Sequence, residues 1–269
     1  MDEELPGDLL VPLSPSRVAD FKTCPQLFKF RAIDRLPEAA DIYSARGTLV
    51  HSVLESVFAL AAEERTLERC ISTLRDLWQT VRQEEEMQGL QLSEDQESIW
   101  LAEAEQLLIN YFKIEDPAAI SPHELEWWVE HAVDKALLRG IIDRVEVTED
   151  DEWILTDYKT GRSPSDNRTL GSFFGLKFYA LVCWREFGHM PKALRLIHLR
   201  EPEVITLVPT EQMLQGLERQ LLAVAGAITR AHEKDDWRPR QSYMCNFCSH
   251  RSICPAFADE VELAAVVGA

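Results

Sequence analysis

The chain has 269 residues, 46% of them hydrophobic, which suits one large domain with a buried core. No apolar run approaches the roughly 20 residues of a membrane span, and the acidic start lacks the features of a signal peptide, so we expect a soluble cytoplasmic protein. The net charge of −18 argues against a nucleic-acid partner, although residues 158–200 hold eight lysines and arginines against two acids and can form a local positive surface.

The first part of the chain is predicted to be helical, after a flexible N-terminus over residues 1–12. Ser14 and Pro15 are typical of a helix N-cap and first helical position, and Pro25 is expected to kink or break this helix. Gly47 opens an apolar segment that suits a buried helix. Residues 64–88 and 94–112 have the pattern of amphipathic helices, so we assign a helical region to residues 46–115.

Strands are predicted only after Pro122. The predicted order is strand, strand, strand, helix, strand, strand and helix, over residues 124–133, 137–147, 153–159, 169–187, 193–199, 203–208 and 210–234. Thr210 is the expected N-cap of the last helix. This order predicts a mixed α/β core over residues 120–234.

Two aspartates and a lysine lie on neighbouring predicted strands. Asp157 and Lys159 are two residues apart and therefore point to the same side of a strand, and Asp143 reaches them if the strands are antiparallel. Carboxylates suit Mg²⁺, and a lysine can orient or deprotonate a water or neutralise a phosphate. His51, in an otherwise apolar helix, is a further candidate ligand because imidazole also suits Mn²⁺. The pattern indicates phosphodiester hydrolysis, although a D-x-K triplet alone is often a solvated ion pair.

Three cysteines near the end of the chain, Cys245, Cys248 and Cys254, have the spacing C-x₂-C-x₅-C. A metal centre at this spacing needs a fourth ligand. His250 would complete a local zinc site, whereas Cys24, 221 residues upstream of Cys245, would complete the four thiolates that an iron–sulfur cluster prefers. The spacing leaves both possibilities open.

Five segments together resemble the successive motifs of RecB-family nucleases, in the order that the family has them. They are SPSRVADFKTCPQLFKFR, GTLVHSVLE, GIIDRVEV, LTDYKTG and LKFYALV. The resemblance runs from about Leu13 to Phe257 and implies a PD-(D/E)xK, restriction-endonuclease-like α/β fold, in which helices flank a mixed central sheet. It implies one nuclease domain over residues 13–257 with an N-terminal helical region, a C-terminal iron–sulfur lobe formed by 14–35 and 238–257, and a tail over 258–269.

The resemblance also implies the roles of individual residues. The family's ligands for Mg²⁺ or Mn²⁺ match four positions, namely His51, Asp143, Asp157 and the backbone carbonyl of Tyr158. Lys159 matches the lysine of the family's D/E-x-K motif.

Two further positions have catalytic counterparts in the family. Glu126 corresponds to an acidic residue near the site, with Glu124 and Glu130 as alternatives. Tyr179 matches the tyrosine of a Q-x-x-x-Y motif, but Gly175 stands where the family has glutamine. This departure puts the efficiency of the reaction in question, although not the metal site.

The cysteine pattern is similar to that of the iron–sulfur members of the family, such as AddB nuclease domains and CRISPR adaptation nucleases. The resemblance implies that a 4Fe-4S cluster is held by four cysteines, Cys24, Cys245, Cys248 and Cys254. Its expected role is structural, because it closes a very long loop.

The function implied is Mg²⁺- or Mn²⁺-dependent cleavage of DNA, as an exonuclease on single strands or DNA ends, in repair and recombination with partners such as a helicase. Four basic residues are candidates for binding phosphates: Arg17, Arg144, Arg162 and Lys177. Three alternatives stay open. They are a CRISPR adaptation nuclease that processes spacer precursors, a DNA-binding subunit with a weakened site, which Gly175 favours, and a zinc-dependent regulator.

Overall fold

The structure is a computed structural model that describes residues 10–163 and 169–258. Residues 1–9 of the predicted N-terminus and 259–269 of the predicted tail lie outside the described part. The chain divides into two compact units, so the assignment of 13–257 to one domain stays a prediction. Within the described residues, every helix is too short or too polar to cross a membrane.

One unit contains the described residues among 1–39, 131–139 and 218–269. Its first strand, β1 (Val11–Leu13), runs parallel to the beginning of a later strand, with Val11 opposite Ala136. Two helices follow, α1 (Pro15–Thr23) and α2 (Pro25–Phe28), and the side chain of Ser14 caps α1 as predicted. The predicted break at Pro25 is confirmed, since α1 ends two residues before it.

The other unit, residues 40–130 and 140–217, contains most of a mixed sheet. Its strands are β2 (Glu124–Val133), β3 (Ala136–Val147), β4 (Trp153–Lys159), β5 (Ala193–His198) and β6 (Glu203–Leu207), of which β2 and β3 continue into the first unit. β3 pairs with β2 and lies antiparallel to β4, β4 runs parallel to β5, and β5 is antiparallel to β6. The predicted strands are thus confirmed, whereas β1 was not predicted.

Helices flank this sheet, which confirms the predicted fold class. The helices that follow α2 in the described part of the chain are α3 (Ile42–Phe58), α4 (Leu67–Val81), α5 (Glu85–Gln88), α6 (Glu94–Tyr111), α7 (Thr169–Ser172), α8 (Phe174–Phe187) and α9 (Glu211–Glu233). The apolar sides of α3, α4 and α6 form one core, which Tyr158 and Ile197 of the sheet join. α8 connects the parallel pair β4 and β5 and contacts both strands. Thr210 accepts a hydrogen bond from the Met213 amide, as expected of the N-cap of α9.

Candidate active site

The pairing of β3 with β4 brings the two predicted aspartates to neighbouring strands. Arg144 lies opposite Thr156 in the antiparallel register. Beside this pair, the amide of Tyr158, two residues after Thr156, donates a hydrogen bond of 2.8 Å to Oδ2 of Asp143, the residue before Arg144. Asp143 therefore reaches across to the strand that carries Asp157, as the sequence predicted.

Helix α3 brings His51 to the same place. The apolar residues around His51 bury the helix, and the imidazole is left facing the sheet, where its Nε2 donates to the Tyr158 carbonyl at 3.0 Å. Its Nδ1 lies 3.4 Å from Asp143 Oδ2. Burial lowers the pKa of His51, but the adjacent carboxylates of Asp143 and Asp157 outweigh burial and raise it above the usual value.

Glu126 on β2 completes a group of potential cation ligands. One ligand atom each of His51, Glu126 and Asp143 lies within 4.8 Å of the others. Glu126 has a φ of +43°, a conformation that side-chain-bearing residues rarely adopt and that often marks functional sites. Burial and the charge of Asp143 raise the pKa of Glu126 to about 6. Of the three glutamates that the sequence left open, the geometry groups Glu126 with the other two ligands.

Asp157 and Lys159 form an ion pair at the end of β4, with Nζ 2.5 Å from Oδ2. Burial raises the pKa of Asp157 despite the lysine, and the negative charge of Asp143 raises it further. Burial alone would lower the pKa of Lys159, but Asp157 raises it by more. The site thus gathers several carboxylates whose charges are only partly compensated.

Tyr179 of α8 lies against β3 at Gly140. A Cβ atom at Gly140 would stand 2.6 Å from Tyr179 Cε1, so only glycine permits this approach. Burial, followed by the charges of Asp157 and Asp143, raises the pKa of the Tyr179 phenol. Gly175, one turn earlier on α8, has open space where a side chain would begin.

Arg144 does not lie at a surface that DNA could contact, in contrast to what the sequence predicted. Its side chain is fully buried, donates to both carboxylate oxygens of Glu115 at 3.0 and 3.1 Å, and donates to Glu146 and the Tyr158 hydroxyl at 2.9 and 2.7 Å. Arg195 also donates to Glu115, at 2.5 Å. This buried network stabilises the strands behind the candidate ligands, and the sequence did not single out Glu115 or Arg195.

The other predicted phosphate-binding residues are more accessible, but they are not all in one unit. Arg162 is exposed and follows Lys159 by three residues. Lys177 Nζ donates to the Leu170 carbonyl at 3.0 Å. Arg17 belongs to the first unit, where its guanidinium donates to the Pro12 carbonyl.

The four predicted cluster ligands converge within the first unit. A single cavity is lined by all of them, Cys24, Cys245, Cys248 and Cys254, and each is a free thiol. Backbone amides of Arg240 and Ser242 donate to the sulfur atoms of Cys24 and Cys245 at 3.2 and 3.4 Å. Amide donors to sulfur are a means by which proteins tune thiolate-bound metal centres.

His250, the alternative ligand, points elsewhere. Its Nε2 lies 2.8 Å from Glu38 Oε1, its ring contacts Phe30, and it does not line the cysteine cavity. The geometry therefore groups Cys24, rather than His250, with the C-terminal cysteines.

The fold and the site define a class of protein, namely α/β proteins in which acidic residues and a lysine meet on adjoining strands, a set of groups that suits cleavage of phosphodiester bonds. Residues 12–255 match the PD-(D/E)XK nuclease superfamily, and the chain belongs to it. No curated protein matches the chain.

Several solved structures are similar to this chain, including the following two. The crystal structure of a candidate exonuclease from Eubacterium rectale has a TM-score of 0.61 and 14% identity, over 90% of this chain and 88% of that one. The structure of SSO0001 has a TM-score of 0.36 and 16% identity, over 78% of this chain and 95% of that one. The first likeness supports the nuclease fold, and the second is too low to add to it.

Proposed function

We propose that the protein is a metal-dependent DNA nuclease of the RecB type, which acts as an exonuclease on single-stranded DNA or DNA ends. The observation that carries the proposal is the convergence of His51, Glu126 and Asp143 beside the Asp157–Lys159 pair. The superfamily supports phosphodiester cleavage in general.

The donor atoms fit a hard divalent cation. His51, Asp143, Asp157 and the Tyr158 carbonyl would hold Mg²⁺ or Mn²⁺, because these ions prefer oxygen ligands and Mn²⁺ also accepts imidazole. Glu126 is close enough to add a further carboxylate. Burial raises the pKa values of Glu126 and Asp157, and the negative charge of Asp143 raises both further; a cation would relieve that repulsion.

In the proposed reaction, water is added across a phosphodiester bond to leave a 5′-phosphate and a 3′-hydroxyl. The bound cation would supply Lewis acidity and lower the pKa of water. Lys159, kept charged by Asp157, donates hydrogen bonds to a phosphate oxygen and neutralises the charge that builds up on it. The Tyr179 ring, held against Gly140, closes one side of the carboxylate site.

The test is a nuclease assay with Mg²⁺ or Mn²⁺ on linear and circular single-stranded DNA, double-stranded DNA and RNA. Asp143→Ala, Asp157→Ala and Lys159→Ala should each abolish cleavage of linear DNA, and chelation should do the same. Asp150→Asn, an exposed change in the turn after β3, is the control. Wild-type rates in the triple variant would exclude this site, and a lack of cleavage in the wild type would favour a binding subunit. Cleavage of circular strands would exclude a strict requirement for ends.

We also propose that Cys24, Cys245, Cys248 and Cys254 hold a structural 4Fe-4S cluster. Support comes from the common cavity, the amide donors to sulfur and the separation of His250 from the cavity. Four thiolates are the preferred ligands of such clusters.

Anaerobically purified protein should therefore be brown and contain about four iron atoms per chain, as expected for this cluster type. Cys24→Ser should lose the iron, while Cys70→Ala, which changes a buried cysteine of the other unit, should keep it. A colourless, zinc-containing wild type would contradict the proposal. A role in DNA repair and recombination with a helicase partner rests on the RecB-type resemblance and needs pull-down experiments from the native source.

A further inference from the structure

A cavity of about 160 Å³ with a polar lining, separate from the cysteine cavity, lies next to the candidate active site and has no role in the proposal above. It is lined by Arg46, Glu103, Gln106, Leu107, Asn110, Thr160 and Arg200. The chain places it beside the carboxylates in two ways. Thr160 directly follows Lys159, and Arg46 lies five residues before His51 on α3, a rise of about 7.5 Å along the helix.

Two guanidinium groups face this cavity from different elements. Arg46 is almost completely buried, and Arg200 lies two residues after the end of β5 and is partly exposed. Burial first, and then the nearby charge of Arg200, lower the pKa of Arg46. Two like charges held at close range in a partly enclosed space favour an anion between them.

The neighbouring residues hold Arg200 in place rather than neutralise it. Asn110, itself buried, donates to the carbonyls of Leu199 and Arg200 at 2.9 and 3.3 Å. Arg200 Nε lies no closer than 4.0 Å to Glu201. Asn110 therefore holds the backbone at Arg200, and the guanidinium is only loosely paired with Glu201.

Glu103 occupies an anion position in the cavity. Its carboxylate pairs with Arg46, yet its side chain is 58% exposed and can rotate into solvent without unfolding α6. A carboxylate that binds an almost buried arginine from an exposed position can be exchanged for a phosphate, which carries more acceptor oxygens.

We propose that this cavity is a second phosphate-binding subsite, in which Arg46 and Arg200 bind a backbone phosphate of the polynucleotide whose neighbouring bond is cleaved, displacing Glu103. The proposal rests on the proposed function. The Thr160 hydroxyl also lies in this region, and Gly47 permits its close approach, since a Cβ there would stand 3.0 Å from Thr160 Oγ1.

The test measures binding of labelled single-stranded DNA by anisotropy, with Ca²⁺ instead of Mg²⁺, over a range of salt concentrations. Arg200→Gln should weaken binding about threefold to tenfold and reduce the slope of log affinity against log salt by about 0.7, the value for one single-strand phosphate contact. Arg200→Lys, which keeps the charge, should keep most of the slope. Arg75→Gln, which changes an exposed side chain of α4, should leave binding unchanged.

A change at Glu103 separates this proposal from a purely structural ion pair. Glu103→Gln removes the competing carboxylate and should tighten DNA binding about threefold, because less has to be displaced. Glu105→Gln is the matched control, since Glu105 is also on α6 and also pairs with an arginine, Arg75. A structural role for Glu103 predicts equal or weaker binding in Glu103→Gln.

The outcomes distinguish the two proposals. A wild type that neither binds nor cleaves DNA overturns the proposed function and this inference together. This inference alone is overturned if the wild type binds and cleaves DNA, Arg200→Gln has the same salt slope as the wild type, and Glu103→Gln does not bind DNA more tightly.

Discussion

Replacing Arg144 by methionine should weaken the fold and not the binding of DNA. The change removes a fully buried guanidinium that donates to Glu115, Glu146 and the hydroxyl of Tyr158. Removing one partner of a buried ion pair costs about 3–5 kcal/mol, since it leaves an uncompensated buried charge. Glu115 keeps a second donor, Arg195, at 2.5 Å, which places the expected loss at the lower end, about 3 kcal/mol.

Thermal and urea denaturation measure this loss, with an expected fall in Tm of about 6–12 °C for a chain of this size. Arg195→Met is the matched control, because Arg195 binds the same carboxylate from a partly exposed position and should cost less. DNA affinity of folded Arg144→Met should equal that of the wild type. A variant that melts like the wild type but binds DNA weakly would refute the reasoning and restore the role that the sequence predicted.

The same network predicts a dependence on pH. Burial raises the pKa of Glu115, but Arg144 and Arg195 lower it by more, so that the pKa lies below the ordinary value of 4.5. The stabilisation is therefore present above about pH 4.5 and is lost as the pH falls through the lower pKa of the folded state. Arg144→Met should show a shallower loss of stability in acid than the wild type, and an equal or steeper loss would contradict the assignment.

Four other substitutions test the neighbourhood of the carboxylates. Gly140→Ala should lower the free energy of unfolding by about 1–3 kcal/mol and slow cleavage, because its Cβ would overlap Tyr179. Gly175→Ala, in open space within a helix, should raise the free energy of unfolding by about 0.5–1 kcal/mol. Equal effects of the two changes would contradict the close approach of Tyr179 to Gly140. Glu126→Gln should stabilise the metal-free protein above pH 6, by no more than about 1 kcal/mol after solvent screening. The reason is that the pKa of Glu126 is raised to about 6 in the folded protein, so the wild type loses stability as the pH rises from 4.5. Added Mn²⁺ should raise the Tm of this variant less than that of the wild type, and an equal rise would exclude Glu126 as a ligand. Gly175→Gln introduces the glutamine that the resemblance to RecB-family nucleases implies and should raise the rate of DNA cleavage; an unchanged rate would show that position 175 has no part in the site.

The alternation of side chains between the two faces of a strand was the most informative pattern in the sequence. It predicted β3 and β4 and correctly brought Asp143 to the strand that carries Asp157. The same rule could have excluded Arg144 from the site, because adjacent residues on a strand point to opposite faces. Arg144 accordingly lies in the network behind the ligands.

Alternation could not choose among Glu124, Glu126 and Glu130, because all three occupy even positions of the same strand and share a face. What distinguishes Glu126 is a local irregularity, its positive φ, together with a helix from elsewhere in the chain. The proximity of distant segments, such as Val11 opposite Ala136 or Arg46 and Arg200 at one cavity, left no periodic signal in the sequence.

The division of the first unit into three separate stretches of chain has a consequence for synthesis on the ribosome. The second unit is complete once residue 217 has emerged, whereas the first needs the stretch from 218 onward. At about 5–20 residues per second, the 41 residues between 217 and 258 take roughly 2–8 s to translate. Cys24 is made before that interval begins, whereas Cys245, Cys248 and Cys254 are made only near its end. For most of that interval Cys24 is therefore without the three cysteines that line the same cavity, and slowing translation over this stretch should lower the yield of folded protein.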